Sequence, residues 1–283
     1  MKCIIWDVQH GSASTVITPN NKYVAIDLGV GSYGANDLTF SPLLHLKKQY
    51  NVTQLHSVIL THPHSDHLDD IINFDKLSPL ILYRPSHLTE SDIWGGNQSA
   101  DKEIIDKYLA INQRYVNPVA PSIDFRNPDN MGGVSVKTFT PQSAATSNIN
   151  NHSVVTVISY AKSKIIIPGD NEPVSWKELL ERADFIDAIS GADIYVASHH
   201  GRESGFCSEL FEYIRPKLII VSDGRFVNTS ATTAYSQKAS GWKVHKRSGG
   251  SEERNCLTTR NDGVISVTFG MDNTQRFIEV TIS

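Results

Sequence analysis

Short apolar or alternating runs, separated by turn-forming residues, dominate the first third of the chain. They predict strands at 2–8, 14–19, 22–29 and 55–62, with the turn sequence PNNK joining the second and third in a hairpin. Helical spacing of apolar residues follows at about 41–50, 68–76 and 101–116. The chain is therefore predicted to open with strands and to continue with helices.

The second half of the chain begins again with strands. The pattern predicts strands at 134–141, 153–160 and 163–170, a helix near 174–188, a strand ending in SHH at 198–200, a helix near 206–214, a strand at 217–224, a helix near 231–240 and closing strands at 242–246 and 263–281. Two β-rich halves with helices outside them predict a layered α/β sandwich, which we treat as one domain, 1–283.

Residues 84–101 form the longest stretch without a clear hydrophobic pattern. A loop of this length in a compact domain is usually functional or mobile, so it is a candidate cover for a site. Trp94, in the sequence WGG, is a candidate aromatic tip that stacks on a nucleic-acid base. An ordinary surface loop is the competing interpretation.

Composition and charge limit the classes of function. The chain is 40% hydrophobic and 20% charged, as in a globular protein, and its net charge of −4 gives no global attraction to nucleic acid. Residues 238–260 nevertheless carry an excess of lysine and arginine. Lys246 and Arg247 are therefore candidate phosphate contacts, with a solvated surface as the alternative.

The sequence also bears on location. No apolar run approaches the roughly 20 residues that cross a bilayer, and the chain turns polar at Asp7, too early for a signal peptide. The three cysteines lack metal-type pair spacing and a disulfide pattern. We therefore expect a cytoplasmic protein without a membrane partner.

Residues 60–70, LTHPHSDHLDD, place three histidines and an aspartate directly behind a predicted strand. Imidazole nitrogens and carboxylate oxygens are the usual ligands of zinc and related ions. His62 and His64 share one side of an extended segment and can bind one ion together, while Asp66 and His67 turn toward a second ion. A polar turn with surface histidines is the alternative interpretation.

Further metal-ligand types follow two later strands. Asp170 lies in a Gly-Asp turn just beyond one apolar strand, and His199 and His200 follow the next. Taken singly, such residues are more often parts of turns. Their recurrence after three apolar strands predicts a shared metal site.

These motifs, in this order, resemble the metallo-β-lactamase superfamily. The carrying residues are His62-x-His64-x-Asp66-His67, Gly169-Asp170 and His199-His200-Gly201. More narrowly, the chain resembles the hydrolase domain of ComEC-type DNA-uptake proteins, through DVQHGSA (7–13), IDLG (26–29), NNHSVV (150–155), HHGR (199–202) and TTRNDGVISV (258–267). Three positions depart from that pattern: His10 stands in place of glutamine, Ser12 in place of aspartate, and HLDD in place of HxGG.

The resemblance implies an αββα sandwich of the metallo-β-lactamase type with two metals between the sheets. By the family's motifs, His62 and His64 would bind the first metal, Asp66 and His67 the second, and Asp170 would bridge them. One of His199 and His200 would complete the second site. His152 is either a further ligand or a nearby surface histidine. The expected cofactors are two divalent ions, zinc first and manganese as the alternative.

Two adjacent ions favour hydrolysis by a metal-bound hydroxide, oriented by Asp66 or Asp170. A histidine such as His10, His152 or the non-ligating member of the His199/His200 pair would protonate the leaving group. The leading hypothesis is a phosphodiesterase or nuclease, with Ser12 as a further substrate contact and nucleic acid as one candidate partner. The alternatives are hydrolysis of a small ester, lactone or amide, and a metal-binding module without turnover.

Overall fold

Two β-sheets lie face to face, and helices cover their outer faces. The computed structural model describes residues 1–31, 40–224 and 230–283. The strands are β1 (Lys2–Ile5), β2 (Ser14–Ile17), β3 (Tyr23–Ile26), β4 (Ser57–Ile59), β5 (Ile81–Tyr83), β6 (Ser135–Phe139), β7 (Val155–Tyr160), β8 (Ser163–Ile167), β9 (Ile194–Val196), β10 (Leu218–Val221), β11 (Trp242–Lys246), β12 (Ser251–Arg254), β13 (Cys256–Thr258), β14 (Ile265–Asp272) and β15 (Gln275–Ile282).

The helices lie between the strands along the chain. The α-helices are α1 (Pro42–Gln49), α2 (Glu90–Gly96), α3 (Lys102–Arg114), α4 (Pro173–Leu180), α5 (Ala183–Ile189), α6 (Thr232–Ser236) and α7 (Thr259–Asp262). The 3₁₀ helices include Ser65–His67, Asp69–Lys76, Ile149–His152, His199–Gly201 and Glu209–Glu212. No helix in the described ranges is long and apolar enough to cross a membrane.

Within the described residues, the first sheet has the strand order β12-β11-β15-β14-β1-β2-β3-β4-β5, and the second has the order β13-β10-β9-β8-β7-β6. β3, β4 and β5 are parallel to one another, as are β8, β9, β10 and β13. β4, β9 and β10 are buried along their whole length, which explains their continuous apolar sequences. In contrast, the second half of β15 alternates between exposed and buried positions.

Three apolar clusters fill the spaces between the layers. The central cluster joins the inner faces of both sheets, through residues such as Ile26 and Ile59 of the first and Ile165 and Ile220 of the second. One outer cluster packs the first sheet against α1, α2 and α3. The other packs the second sheet against α4, α5 and α6. The layers are therefore helix, sheet, sheet and helix, as the sequence predicted.

The strand assignment differs from a simple division into two halves. β11, β12, β14 and β15 come from the end of the chain, yet they pair into the first sheet, where β14 lies beside β1. The two sheets therefore do not correspond to the two β-rich halves of the sequence. Hydrophobic patterns identify strands but carry no information on which distant strand becomes the neighbour.

Several element boundaries also differ from the prediction. The helix expected at 174–188 is two helices, α4 and α5, and the segments expected as helices near 68–76 and 206–214 are 3₁₀. The loop expected at 84–101 contains α2. Its N-terminus is a capping box, in which Thr89 and Asp92 bond each other's backbone N–H groups. That capping pair was the sequence signal for a helix, and it was overlooked.

Candidate metal centre

The histidine motif leaves the first sheet at the end of β4. His62 and His67 are fully buried, and Ser65–His67 form one 3₁₀ turn that brings the motif back on itself. Asp27, just beyond β3, anchors the start of this turn. Its carboxylate accepts hydrogen bonds from the backbone N–H of Thr61 at 2.7 Å and from the Thr61 hydroxyl at 2.9 Å.

The second sheet contributes the remaining predicted ligands, which follow two of its strands. Asp170 follows β8, and His199 and His200 follow β9. The Asp170 N–H donates to the Ser153 hydroxyl at 3.0 Å. Gly169 has φ +62°, and a Cβ there would lie 2.6 Å from the Thr61 Cβ. Glycine is therefore required for the two sheets to approach at this point.

Two groups of potential ligand atoms form at this junction. His62, His67 and Asp170 contribute atoms that all lie within 4.8 Å of one another, as do Asp66, His67 and His200. Asp170 Oδ1 lies 3.2 Å from His67 Nε2, and its Oδ2 lies 3.3 Å from His200 Nε2. Asp170 thus contacts members of both groups, as expected of a bridging carboxylate.

In His67 and His200, the ring nitrogen that faces away from the cluster, called the outer nitrogen below, is Nδ1. Its hydrogen-bond partner fixes the direction of the ring. His67 Nδ1 lies 2.8 Å from Asp27 Oδ2, and His200 Nδ1 donates to the Ser222 carbonyl at 3.0 Å. Both Nε2 atoms therefore face the interior of the cluster, 3.2 Å apart. A carboxylate or carbonyl behind a ligating histidine is the usual support of a metal site.

The electrostatics divide the cluster into two kinds of group. Burial lowers the pKa values of His62 and His64, which keeps these rings neutral. Burial alone would raise the pKa values of Asp66 and Asp170, but His67 and His200 hold both below their usual range. Asp170 in turn raises the pKa values of His67 and His200 against the effect of their burial. The two rings thus favour the ionised forms of both carboxylates, and the carboxylates favour the protonated forms of the two rings.

These donors suit divalent cations. His62 Nε2 and His64 Nδ1 face each other at 2.9 Å, and neutral rings have lone pairs available for a metal. The carboxylates of Asp66 and Asp170 supply the negative charge that a cation would balance. Imidazole and carboxylate without thiolate is a donor set typical of zinc, manganese and iron.

The two histidines of the HHGR motif have different surroundings. His200 belongs to the second donor group, whereas His199 belongs to neither group found among the described residues. His199 Nδ1 instead lies 3.3 Å from Glu172 and 3.0 Å from the Ser204 hydroxyl, while its Nε2 is 3.8 Å from Asp170. His199 therefore borders the cluster from the side of Glu172.

His152 is fully buried rather than a surface histidine. Its Nδ1 lies 2.9 Å from His87 Nε2, and its Nε2 has no hydrogen-bond partner in the described part of the chain. It is not a member of either donor group in the described residues. His87 lies alone in an unpatterned segment, so no local pattern predicted this pair.

The loop between β1 and β2 packs on the histidine motif. A Cβ at Gly11 would lie 2.5 Å from the Asp66 carbonyl oxygen, which accepts the Ser12 N–H at 3.2 Å. The side chain of His10 is 50% exposed, with Nε2 3.5 Å from Asp66 Oδ2. Ser12 lines a small cavity of about 10 Å³ together with Asp170 and His200. His10 and Ser12 are thus beside the donor groups.

Three predicted substrate contacts have partners outside the donor groups. Trp94 is part of α2, partly buried against the outer core, with Lys102 Nζ 5.9 Å from its ring centre. Lys246 pairs with Glu252 at 2.7 Å in the β11–β12 hairpin at the sheet edge, and the Arg247 N–H donates to the Ile282 carbonyl. Among the described contacts, none joins these three residues to the donor groups.

Helix α2 supports the histidine motif from outside. The Asn97 side chain accepts from the Ser65 N–H at 3.2 Å and donates to the Pro63 carbonyl at 2.8 Å. It therefore bonds the backbone on both sides of His64. A Cβ at Gly96 would lie 3.3 Å from His64 Nε2. Asn97 was not identified from the sequence, because a lone asparagine after an unrecognised helix carries no signal.

Comparison with known proteins identifies the family. Residues 8–199 match the family model of the metallo-beta-lactamase superfamily. Because this match covers more than half of the chain, the chain belongs to that superfamily of metal-dependent hydrolases, as its motifs indicated. The αββα fold class is thereby confirmed.

Individual relatives are distant. Recombination protein 2 of Haemophilus influenzae, a ComEC-like protein, is 22% identical over 221 residues, which cover 78% of this chain and 24% of that protein. The chain thus spans about a quarter of the length of this relative. Zn²⁺-bound PqqB from Methylobacterium extorquens is 13% identical, with 93% of this chain and 99% of that chain covered and a TM-score of 0.48. Human tRNase Z, short form, is 12% identical, with 81% and 97% covered and a TM-score of 0.42.

Proposed function

We propose that the chain is a phosphodiesterase or nuclease with two divalent metal ions between its sheets. The observation that carries this proposal is that His67 belongs to both donor groups, while Asp170 of the first group lies 3.3 Å from His200 of the second. Two ions held by shared residues suit an in-line displacement at phosphorus, because both the attacking and the leaving oxygen need neutralisation. Zinc is the first candidate and manganese the second.

Each side chain has a distinct part in this proposal. His62 and His64 would hold the first ion, and Asp66, His67 and His200 the second, with Asp170 between them. The buried and unpartnered Nε2 of His152 makes it a candidate further ligand of the first ion. When bound, the ions would supply an activated water molecule and neutralise the charge on the phosphate.

His10 is the proposed proton donor to the leaving group. Burial, and then His200, lower its pKa, so its ring is neutral. Arg202 NH2 lies 3.3 Å from His10 Nε2, and because arginine can only donate, that nitrogen must accept. The single proton of the neutral ring therefore lies on Nδ1. To act as the acid, the ring would first take a second proton on Nε2, and it would return to the neutral form by giving one proton to the leaving oxygen.

The name of the H. influenzae relative, a recombination protein, agrees with a nucleic-acid substrate. The second candidate function is hydrolysis of a small ester or lactone by the same centre. Lys246 and Arg247 were the basic residues expected to contact phosphates. Strand β11, which leads to them, is separated from β4 by five strands of the first sheet, and this separation favours the second function.

The test combines metal analysis with a substrate panel. Purified protein should contain close to two equivalents of metal and hydrolyse bis(p-nitrophenyl) phosphate and single-stranded DNA. Asp170→Asn should lose both metal and activity, whereas the matched change Asp184→Asn on α5, which is exposed, should lose neither. If the protein hydrolyses lactones or p-nitrophenyl acetate but no phosphodiester, the second function would replace the first.

A further inference from the structure

Arg202 directly follows the HHG motif, beside the second donor group. Hydrogen bonds hold its backbone in place. Its N–H donates to the His199 carbonyl at 2.9 Å, and Ala231 N–H donates to the Gly201 carbonyl at 2.8 Å. Arg202 also forms an antiparallel bridge with Ser230. A side chain on such a backbone starts from a defined position, as binding residues need to do.

The Arg202 guanidinium lies beside His10, at the edge of the second donor group. Its NH2 donates to His10 Nε2 at 3.3 Å, and the same His10 nitrogen lies 3.5 Å from Asp66 Oδ2. One intervening ring therefore separates the guanidinium from a carboxylate of the second donor group. This places a permanent cation beside the position of the proposed reaction.

Several N–H donors of the Arg202 guanidinium are available to a ligand. Across the described ranges, no carboxylate lies within 4.0 Å of Arg202, and its buried Nε has no hydrogen-bond partner. Arg254, by comparison, is held by Glu252 and Asp262. A buried N–H without a partner is costly unless something else satisfies it, and a guanidinium fork matches the oxygens of a phosphate.

We propose that Arg202 binds a non-bridging oxygen of a phosphodiester and gives the site its preference for anionic diesters over neutral esters. This inference rests on the proposed hydrolytic function and extends it to substrate selection. Two divalent ions would outweigh the charges of Asp66 and Asp170, and Arg202 would add a further positive charge that a neutral lactone cannot use. A neutral substrate would leave the guanidinium without a partner.

The experiment compares two substrates in matched variants. Arg202→Gln should lower kcat/KM for bis(p-nitrophenyl) phosphate by about 10- to 100-fold, the usual value of a charged hydrogen bond. Turnover of p-nitrophenyl acetate and the metal content should stay within about twofold of the wild type, because a neutral ester does not use the guanidinium. Arg202→Lys should recover part of the loss. Arg215→Gln, at a separate cavity of about 400 Å³ beside Asp193, is the control and should change nothing.

Binding of dimethyl phosphate to the metal-loaded protein, measured by calorimetry, gives a second measurement that needs no turnover. Weaker binding in Arg202→Gln supports the inference even if the wild type hydrolyses only neutral esters, a result that would overturn the proposed function alone. Equal losses on both substrates, loss of metal, or unchanged diester kinetics and binding would each overturn the role of Arg202.

Discussion

The orientation of each ring in the cluster depends on the partner of its outer nitrogen. Asp27 is the most connected of these partners, since it holds both Thr61 and His67 Nδ1. Its backbone is in the left-handed region, at φ +58°. The carboxylate is 2% exposed, so its hydrogen bonds are not exchanged for water. Asp27 would therefore position a metal ligand, His67, without binding the metal itself.

Asp27→Asn should weaken metal binding although it preserves the shape of the side chain. The amide oxygen can still accept from Thr61 N–H, but the amide NH₂ would face His67 Nδ1 and favour a proton on Nε2. A protonated Nε2 cannot bind a metal, so we expect affinity to fall about 10- to 100-fold. Competition with a chelating dye measures this, and the exposed change Asp184→Asn is the control. Unchanged affinity would show that Asp27 does not set the tautomer.

His56 makes a separate, acid-sensitive contribution at the opposite end of β4. It is 5% exposed, and burial lowers its pKa from 6.5 to about 4. The unfolded chain therefore binds a proton at a higher pH than the folded chain does. Stability is fully present above pH 6.5 and falls as the pH drops toward about 4, by up to roughly 3 kcal/mol.

His56→Gln should remove this acid sensitivity. Urea denaturation at pH 7 and pH 4.5 should give a smaller loss of free energy of unfolding in the variant than in the wild type, because glutamine does not titrate. His245→Gln, at a partly exposed position on β11, is the matched control. An equal loss in His56→Gln and the wild type would mean that His56 is not the titrating group.

At the scale of elements, the histidine motif follows strand β4, but the segments around α1 and α2 hold its backbone in place. Asp70, from the departure HLDD, accepts from the Ser41 hydroxyl, the Leu43 N–H and the Asn73 side chain. It thereby ties the start of α1 to the turn after His67. This departure from the family pattern has a structural role, which explains why an acidic residue is tolerated in a buried position.

Helix α2 has the same supporting part on the other side of His64. Asn97→Ala should lower metal content and kcat, because the backbone at Pro63 and Ser65 would lose its side-chain partners. A loss of about 1–3 kcal/mol of unfolding free energy should accompany it. Asn20→Ala, which removes a comparable bond to the Asn130 carbonyl far from the motif, should retain full metal content. Loss of stability with full metal content in Asn97→Ala would reduce Asn97 to a structural residue.

At the scale of the whole molecule, the donor groups lie across the junction of the two sheets. Asp66 and His67 come from the first sheet, and Asp170 and His200 come from the second. An ion bound by both would resist their separation. Metal binding is therefore expected to stabilise the fold as well as to serve catalysis.

Removal of metal should lower the melting temperature. Occupancy at a hundred times Kd stabilises by about 3 kcal/mol per site, so chelation should lower Tm by about 5–10 °C. Differential scanning calorimetry with and without EDTA measures the shift. The Asp170→Asn variant should show little further decrease with EDTA, and a wild-type Tm that ignores EDTA would contradict an ion shared between the sheets.

Much of the fold and of the candidate site could be predicted from the order of the residues. Strands, layers and the ligand motif follow from local patterns, since strand periodicity and the spacing of His62, His64 and Asp66 are properties of neighbouring residues. The positions of Asp170 and His200 after buried strands were equally visible. The family followed from these motifs and is confirmed by comparison.

Other features depend on how remote segments pack together. The pairing of β14 with β1, the support from Asp27 and Asn97, and the approach of Arg202 to His10 all join residues far apart in the chain. The described contacts of Trp94, Lys246 and Arg247, which were chosen from local composition, do not include the donor groups, because composition does not encode contacts between remote segments. Contacts between remote segments are set by how the sheets pack, and no local pattern contains that information.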